Sequence, residues 1–203
     1  MLKYSAFSFL RYLKNHLAPT IKMPVLFCYL AGMTAIVKAT AADTSLIVRV
    51  ATASFIALHE NRMPATDLAA YVSTKLTIPV IEEELNNPAN IFHIIYYNDQ
   101  PAGYSKIIFN TPCPLIKNTA VTKMERLYLL KEFYALQLGS VVFEFNNHLA
   151  RQANQAGMWL YVWIKNERAI RFYKKQGFEI IGNEDFVISP TLSNPNHIMY
   201  LGY

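Results

Sequence analysis

Trp159–Phe178 reads WLYVWIKNERAIRFYKKQGF, and its pattern changes twice along its length. Met158–Ile164 (MWLYVWI) is an apolar, aromatic-rich run with no charge, which predicts a buried strand. Asn166 is a residue type that caps helices, because its side-chain oxygen accepts from the free amides of the first turn. From Asn166 to Gln176 the helical period brings Ala169, Ile170 and Tyr173 to one face, turned toward a sheet. Gly177 ends that helix as a C′ residue, free to enter the left-handed region, and Phe178–Ile181 begins another strand. On these grounds alone Tyr173 is either an aromatic core residue or a phenol presented to a site.

Working outward, Val121–Leu130 predicts a strand and Leu136–Gln155 a long amphipathic helix, so that Leu127–Phe143 (LYLLKEFYALQLGSVVF) is a strand–loop–helix unit. Ile91–Tyr97 (IFHIIYY) and Gly103–Phe109 (GYSKIIF) flank Asn98-Asp99-Gln100-Pro101, a turn signature, and form a hairpin. Asn110–Asn118, with two prolines, is a loop. Earlier still, the β-branched Ser45–Val50 (SLIVRV) reads as the first strand. Ala51–Asn61, Ala65–Leu76 and Ile78–Leu85 read as helical, the last broken by Asn86-Asn87-Pro88. His197–Tyr203 is the closing strand. A hairpin early and helices interleaved late predict an α/β (α+β) chain built on a mixed sheet.

Asn166-x-x-Ala169-x-x-Phe172-Tyr173-x-x-x-Gly177-Phe178 fills every defining position of the N-x-x-A-x-x-F-Y-x-x-x-G-F segment of the GNAT superfamily of N-acetyltransferases, and the chain resembles that family on this ground. The resemblance covers residues 45–203 and is most specific from Glu125 to Phe178. It implies a central sheet that is mostly antiparallel and flanked by helices, acetyl-coenzyme A as co-substrate, and direct acetyl transfer to a primary amine: a polyamine or diamine, another amino compound, or a protein amine. It also implies that Tyr173 is the general acid for the departing thiolate, and that Asn166 and Ala169 lie against the cofactor. A phenol suits that task, because it still carries its proton at neutral pH whereas a carboxylate does not.

The family's Q/R-x-x-G-x-G/A turn corresponds here to Tyr134, Ala135, Leu136, Gln137, Leu138 and Gly139, with Ser140 following. Its backbone amides are implied to hold the coenzyme A pyrophosphate at a helix N-terminus. Only Gly139 is standard. Tyr134 stands in the Q/R position and Gln137 in that of the first glycine, an exchange that is tolerable if the φ of Gln137 stays negative. Side chains at Ala135 and Gln137 would crowd the phosphates. The Ser140 hydroxyl either contacts a phosphate oxygen or merely occupies the first turn. Leu127, Tyr128 and Leu129 match the strand whose backbone pairs with the pantetheine arm. Glu125 lies just upstream, where many family members place a glutamate that accepts the amine's proton; an ion pair with Arg126 or another neighbour is the competing reading. Simple alternation puts Glu125 with Leu127 on one face and Arg126 with Tyr128 on the other. Within the superfamily, ERLYLLKEF and the closing NPNHIMYL are similar to the bacterial polyamine or diamine acetyltransferase-like branch. A non-catalytic acyl-coenzyme A sensor on the same fold is the alternative, motivated by the irregular turn.

Composition narrows the rest. The chain has 203 residues, 53% hydrophobic and 16% charged, which suits a globular domain and excludes a disordered one. The net charge of +5 is concentrated at the start: residues 1–44 carry five basic residues against Asp43 alone, leaving 14 basic and 13 acidic residues in the remainder. Without a basic stripe in the body, nucleic-acid binding is not expected. Residues 1–44 form a leader in which the apolar run Pro24–Val37 follows basic positions; an extra helix, an interfacial helix, a secretory signal and an upstream start are all open readings. At 14 residues the run is short for a membrane span, so membrane association is not expected. Use of acetyl-coenzyme A points to the cytoplasm, and the resemblance admits a homodimer. Cys28, Cys113 and the histidines lack metal-ligand spacing, so no metal is expected. Glu82-Glu83-Glu84 is either a solvated helix face or a lure for a cationic amine. Trp159, Tyr161 and Trp163 read as core.

Overall fold

The computed structural model describes residues 27–30, 33–189 and 192–203. Eight strands form one sheet: β1 (Phe27–Leu30), β2 (Met33–Lys38), β3 (Asn90–Tyr97), β4 (Gln100–Ile108), β5 (Thr122–Leu129), β6 (Gly157–Trp163), β7 (Glu179–Ser189) and β8 (Leu192–Gly202), in spatial order β1-β2-β3-β4-β5-β6-β8-β7. Every neighbouring pair is antiparallel except β5 with β6. The helices are α1 (Thr44–His59), α2 (Ala65–Lys75), α3 (Ile78–Asn86), α4 (Leu138–Gln152) and α5 (Glu167–Lys175). This is the expected mixed α/β architecture.

Ser45–Val50, expected as the first strand, is instead helical and continuous with the segment after it. The run is rich in branched residues, yet Ile47, Val50, Ala51, Ser54 and Phe55 recur at helical spacing and are buried together. That stripe packs with Ile81, Phe92, Ile94 and Tyr104 on one face of the sheet, and tertiary packing overrides the local β preference. Ala41–His59 is long and apolar enough to cross a membrane by length and composition alone, but its apolar face is spent on this core. The upstream part of the sequence differs from expectation too. Within the described residues of 1–44, the apolar run forms β1 and β2 rather than a helix, and β2 pairs with β3 from Thr34↔Tyr97 to Lys38↔His93. The basic positions Lys3 to Lys22 lie outside the described residues.

The hairpin between β3 and β4 turns on Asn98 and Asp99, whose φ values of 51° and 63° match the left-handed turn that the strand twist favours. The expected helix at Leu136–Gln155 is shorter at both ends, Leu138–Gln152, and a 3-10 segment at Lys131–Leu136 precedes it. On the second face of the sheet α4 and α5 bury Val142, Phe143, Leu138 and Phe145 against Ile107, Met124, Leu129 and Leu160. The loop after β4 is pinned across the sheet: Trp159 Nε1 donates to Thr111 O at 2.8 Å, and Gln155 Oε1 accepts from the Asn110 amide at 2.9 Å. The last two strands are longer than expected, each running to 11 residues.

Two buried histidines set an acid limit on this fold. Burial first, and then the charge of Arg62, pushes His59 down to about 4; burial and then Lys38 push His93 down to about 4. The unfolded chain takes up both protons near the ordinary value of 6.5, the folded chain only near 4. Between those limits the unfolded state binds more protons, so stability falls as pH is lowered through this window. Urea midpoints measured from pH 7 to pH 4 should decline, and His93→Leu should flatten the decline.

Candidate active site

The parallel neighbours β5 and β6 share only two register pairs, Thr122↔Met158 and Lys123↔Trp159. Immediately beyond them β5 bulges. Met124 faces Ile107 and Arg126 faces Lys106, which leaves Glu125 as the extra residue. A bulge bends its strand and raises the local twist, while β6 runs on straight beside β8 from Gly157 to Trp163. A gap therefore opens between β5 and β6. Leu130 N–H donates to Ala102 O on β4 at 2.9 Å, and because successive amides alternate in direction, those of Leu129 and Leu127 point into the gap.

At the end of β5 the 3-10 segment buries Phe133 among Leu129, Leu138 and Val142. Gln137 then turns the chain into α4 with φ 56° and ψ 15°. The condition under which glutamine is tolerable here, a negative φ, is thus not met. The turn needs the left-handed conformation that glycine adopts freely, and here glutamine bears its steric cost. No side chain caps α4. Ser140 and Val141 N–H reach back to Gln137 O at 3.0 and 3.5 Å, and among the described residues Leu138 and Gly139 N–H find no acceptor. At Gly139 an added Cβ would meet the Phe172 ring at 3.6 Å, an ordinary contact. Internal crowding does not require glycine there. Ser140 Oγ accepts from Gln176 Nε2 at 3.4 Å, at the junction of α4 and α5. Tyr134, in the Q/R position, is covered by the Arg168 guanidinium 3.7 Å above its ring centre. Arg168, which the sequence reading passed over, thereby brings a cation from α5 to this turn.

Asn166 caps α5, its Oδ1 accepting from Ala169 N–H at 3.2 Å. At the other end Gly177 has φ 93°; Gly177 N–H bonds Lys174 O and Phe178 N–H bonds Tyr173 O, both at 3.0 Å. These paired bonds are a Schellman stop, completed by apolar contact across it. Here that contact is Tyr173 on Phe178, with ring centres 5.4 Å apart. The glycine–phenylalanine pair thus holds both the backbone and the ring of Tyr173. Ala169, Ile170, Phe172 and Tyr173 pack together on the core. Burial holds the Tyr173 phenol well above its ordinary range, and the nearby Tyr128 phenol adds to this. Tyr128 is itself pushed up to about 12, by burial and then by Tyr71, against the pull of Arg126. Both phenols are protonated at neutral pH.

The bulge also decides where Glu125 goes. Simple alternation, which grouped it with Leu127, does not apply through an inserted residue. Glu125 turns to the Lys106 side, with Oε1 3.4 Å from Lys106 Nζ. Lys106 is 4% exposed and also lies 3.2 Å from Glu84 Oε2, while Arg126 grips Glu84 with two bonds of 2.7 and 2.8 Å. Glu84 is therefore no part of a solvated face; Glu82 and Glu83 are exposed as expected. The ion-pair reading of Glu125 holds, with Lys106 in place of Arg126, and it leaves Oε2 without a partner among the described residues. Lys106 was legible as the one charge inside the apolar strand GYSKIIF. Among the described residues no cluster of His, Cys, Asp and Glu could hold a metal.

A helix without a side-chain cap, two parted strands and a partly buried phenol on the same face of the sheet make an arrangement suited to acyl transfer. The sequence pattern of the acetyltransferase (GNAT) family matches residues 55–178, more than half of the chain, and the chain belongs to that family. It is 27% identical over 122 residues to an uncharacterized N-acetyltransferase from the pepI 3′ region of Lactobacillus delbrueckii subsp. lactis, covering 60% of this chain and 70% of that protein. It is 35% identical over 98 residues to the probable N-acetyltransferase san of Drosophila melanogaster, 45% of this chain and about half (48%) of that one. The crystal structure of a PaiA N-acetyltransferase from Thermoplasma acidophilum in complex with coenzyme A has the same fold, with a TM-score of 0.67 at 18% identity, covering 84% of this chain and 99% of that one.

Replacing Gln137 by glycine removes the left-handed penalty, so Gln137→Gly should raise stability by about 1 kcal/mol despite glycine's greater unfolded-state entropy. Thermal unfolding of the two proteins side by side measures it.

Proposed function

We propose that this chain transfers the acetyl group of acetyl-coenzyme A to a primary amine by direct attack. The observation that carries the proposal is the gap between β5 and β6, closed at one end by unpaired helix amides and flanked by Tyr173. Leu138 and Gly139 N–H would take the diphosphate, aided by the positive end of the α4 dipole. The absence of a Cβ at Gly139 leaves room for that approach, and the likeness to a coenzyme A-bound acetyltransferase supports it. Leu127 and Leu129 offer backbone groups to the amide-bearing arm, as an added strand does, and the Leu129 N–H is placed to polarise the thioester carbonyl.

The amine must lose a proton to attack. Glu125, with one carboxylate oxygen unpaired, accepts it directly or through water. As the thioester collapses, negative charge develops on sulfur. An ordinary thiol has a pKa of about 8.5, so complete transfer from a phenol held above its ordinary range is uphill. Tyr173 therefore acts as a hydrogen-bond donor to the nascent thiolate where its charge peaks, and any proton it passes to sulfur is restored to the phenol from solvent. Diamines and polyamines are the acceptors of first choice. The ERLYLLKEF and NPNHIMYL segments support this. Dependence on acetyl-coenzyme A supports a cytoplasmic location.

Thiol release from acetyl-coenzyme A, followed across diamines, polyamines, amino acids and peptide N-termini, tests the proposal. Turnover with at least one amine is expected, and Tyr173→Phe should lower kcat about tenfold or more while coenzyme A affinity stays within about threefold. Binding without turnover on the whole panel would instead establish a sensor.

A further inference from the structure

The two acids that meet at Lys106 are not equivalent. Glu84 has both oxygens engaged by Arg126 and one of them shared with Lys106. Glu125 has a single contact, through Oε1 to Lys106 at 3.4 Å. Each acid comes from a different element, α3 for Glu84 and the β5 bulge for Glu125, and Lys106 stands on β4 between them. Lys106 is 4% exposed, and its ammonium lies 5.4 Å from the Phe92 ring centre. Few places in a core hold a lysine, because burying its charge is costly unless paired acids offset it. Arg126 alone satisfies Glu84, so anchoring α3 does not require Lys106. Glu125, in contrast, has no other hydrogen-bond or ion-pair contact among the described residues, and Arg126 acts on it only as a more distant charge.

We propose that Lys106 is a positioning residue for proton removal from the amine: it fixes Glu125 by Oε1, so that Oε2 stays directed away from the ion pair and free to accept. The inference rests on Glu125 being the proton acceptor. The bulge re-aims the Glu125 side chain, and the buried cation holds one of its two oxygens by a 3.4 Å contact. Such orientation lowers the barrier without touching substrate. Lys106 lies between the two acids, 3.2 Å from Glu84 and 3.4 Å from Glu125, and Arg126 supplies Glu84 with a second cation that Glu125 does not contact.

A double-mutant cycle on the full chain tests this, with Lys106→Met, Glu125→Gln and the pair, reading kcat, KM for acetyl-coenzyme A and thermal midpoint. If Lys106 acts through Glu125, each single change lowers kcat about tenfold or more, and Lys106→Met costs less than about twofold further once Glu125 is gone. The KM for acetyl-coenzyme A should stay within about twofold, and Lys106→Arg, which keeps the charge, should recover most of the lost kcat. Multiplying losses in the pair, or a Lys106→Met enzyme of normal kcat beside an impaired Glu125→Gln enzyme, overturns the positioning role and leaves the proton acceptor standing. A Glu125→Gln enzyme of normal kcat removes the proton acceptor itself, and the present inference with it. Should Lys106→Met fail to fold, Lys106→Gln and Lys106→Arg, which both hydrogen-bond and differ in charge, decide the question in the same way.

Discussion

The site exists because two adjacent parallel strands stop pairing. After Lys123↔Trp159 the β5 and β6 backbones separate, and polar groups that a continuous ladder would satisfy are left facing an opening. Unpaired amides in a protein interior are costly unless something binds them. The gap therefore presents backbone groups of the kind an extended, amide-bearing ligand can pair, and the single inserted residue at Glu125 lies where it opens. One bulge does two jobs: it bends β5 from its neighbour, and it rotates a carboxylate toward Lys106.

The phenol opposite is held with equal economy. Gly177 permits the left-handed stop, and the stop fixes the carbonyl of Tyr173 while Phe178 packs on its ring. Asn166 secures the other end of the same short helix. The spaced residues of this segment thus have a mechanical meaning: they are the parts of a helix clamped at both ends, with the Tyr173 side chain one turn before the clamp. The ion network of Lys106, Glu84, Arg126 and Glu125 does the same for the other wall, joining α3, β4 and β5.

Local signals were reliable where chemistry is local. The cap at Asn166, the stop at Gly177, the Asn98-Asp99 turn and the break at Pro88 depend on residues a few positions apart, and the structure contains each of them. Ser45–Val50 shows the opposite case. Its branched side chains suit a strand, but the buried stripe from Ile47 to Phe55 has a helical period that emerges only over a longer window, and the sheet beneath rewards it. The apolar run before Lys38 offered no local cue for β2, whose pairing is with β3, far along the chain.

The sequence by itself determined the family, the α/β architecture, the position of Tyr173 in a capped helix and the weakness of the turn at Gln137, because each is written in residue types at short, fixed spacings. Only the tertiary structure decided that Gln137 is left-handed, that Glu125 faces Lys106 and that Glu84 is gripped by Arg126. Those outcomes depend on strand register and on contacts between residues about 20 to 40 positions apart, such as Lys106 with Glu125 and Glu84 with Arg126. A one-residue bulge reverses every alternation downstream of it, and nothing in the local pattern of apolar and polar residues records that reversal.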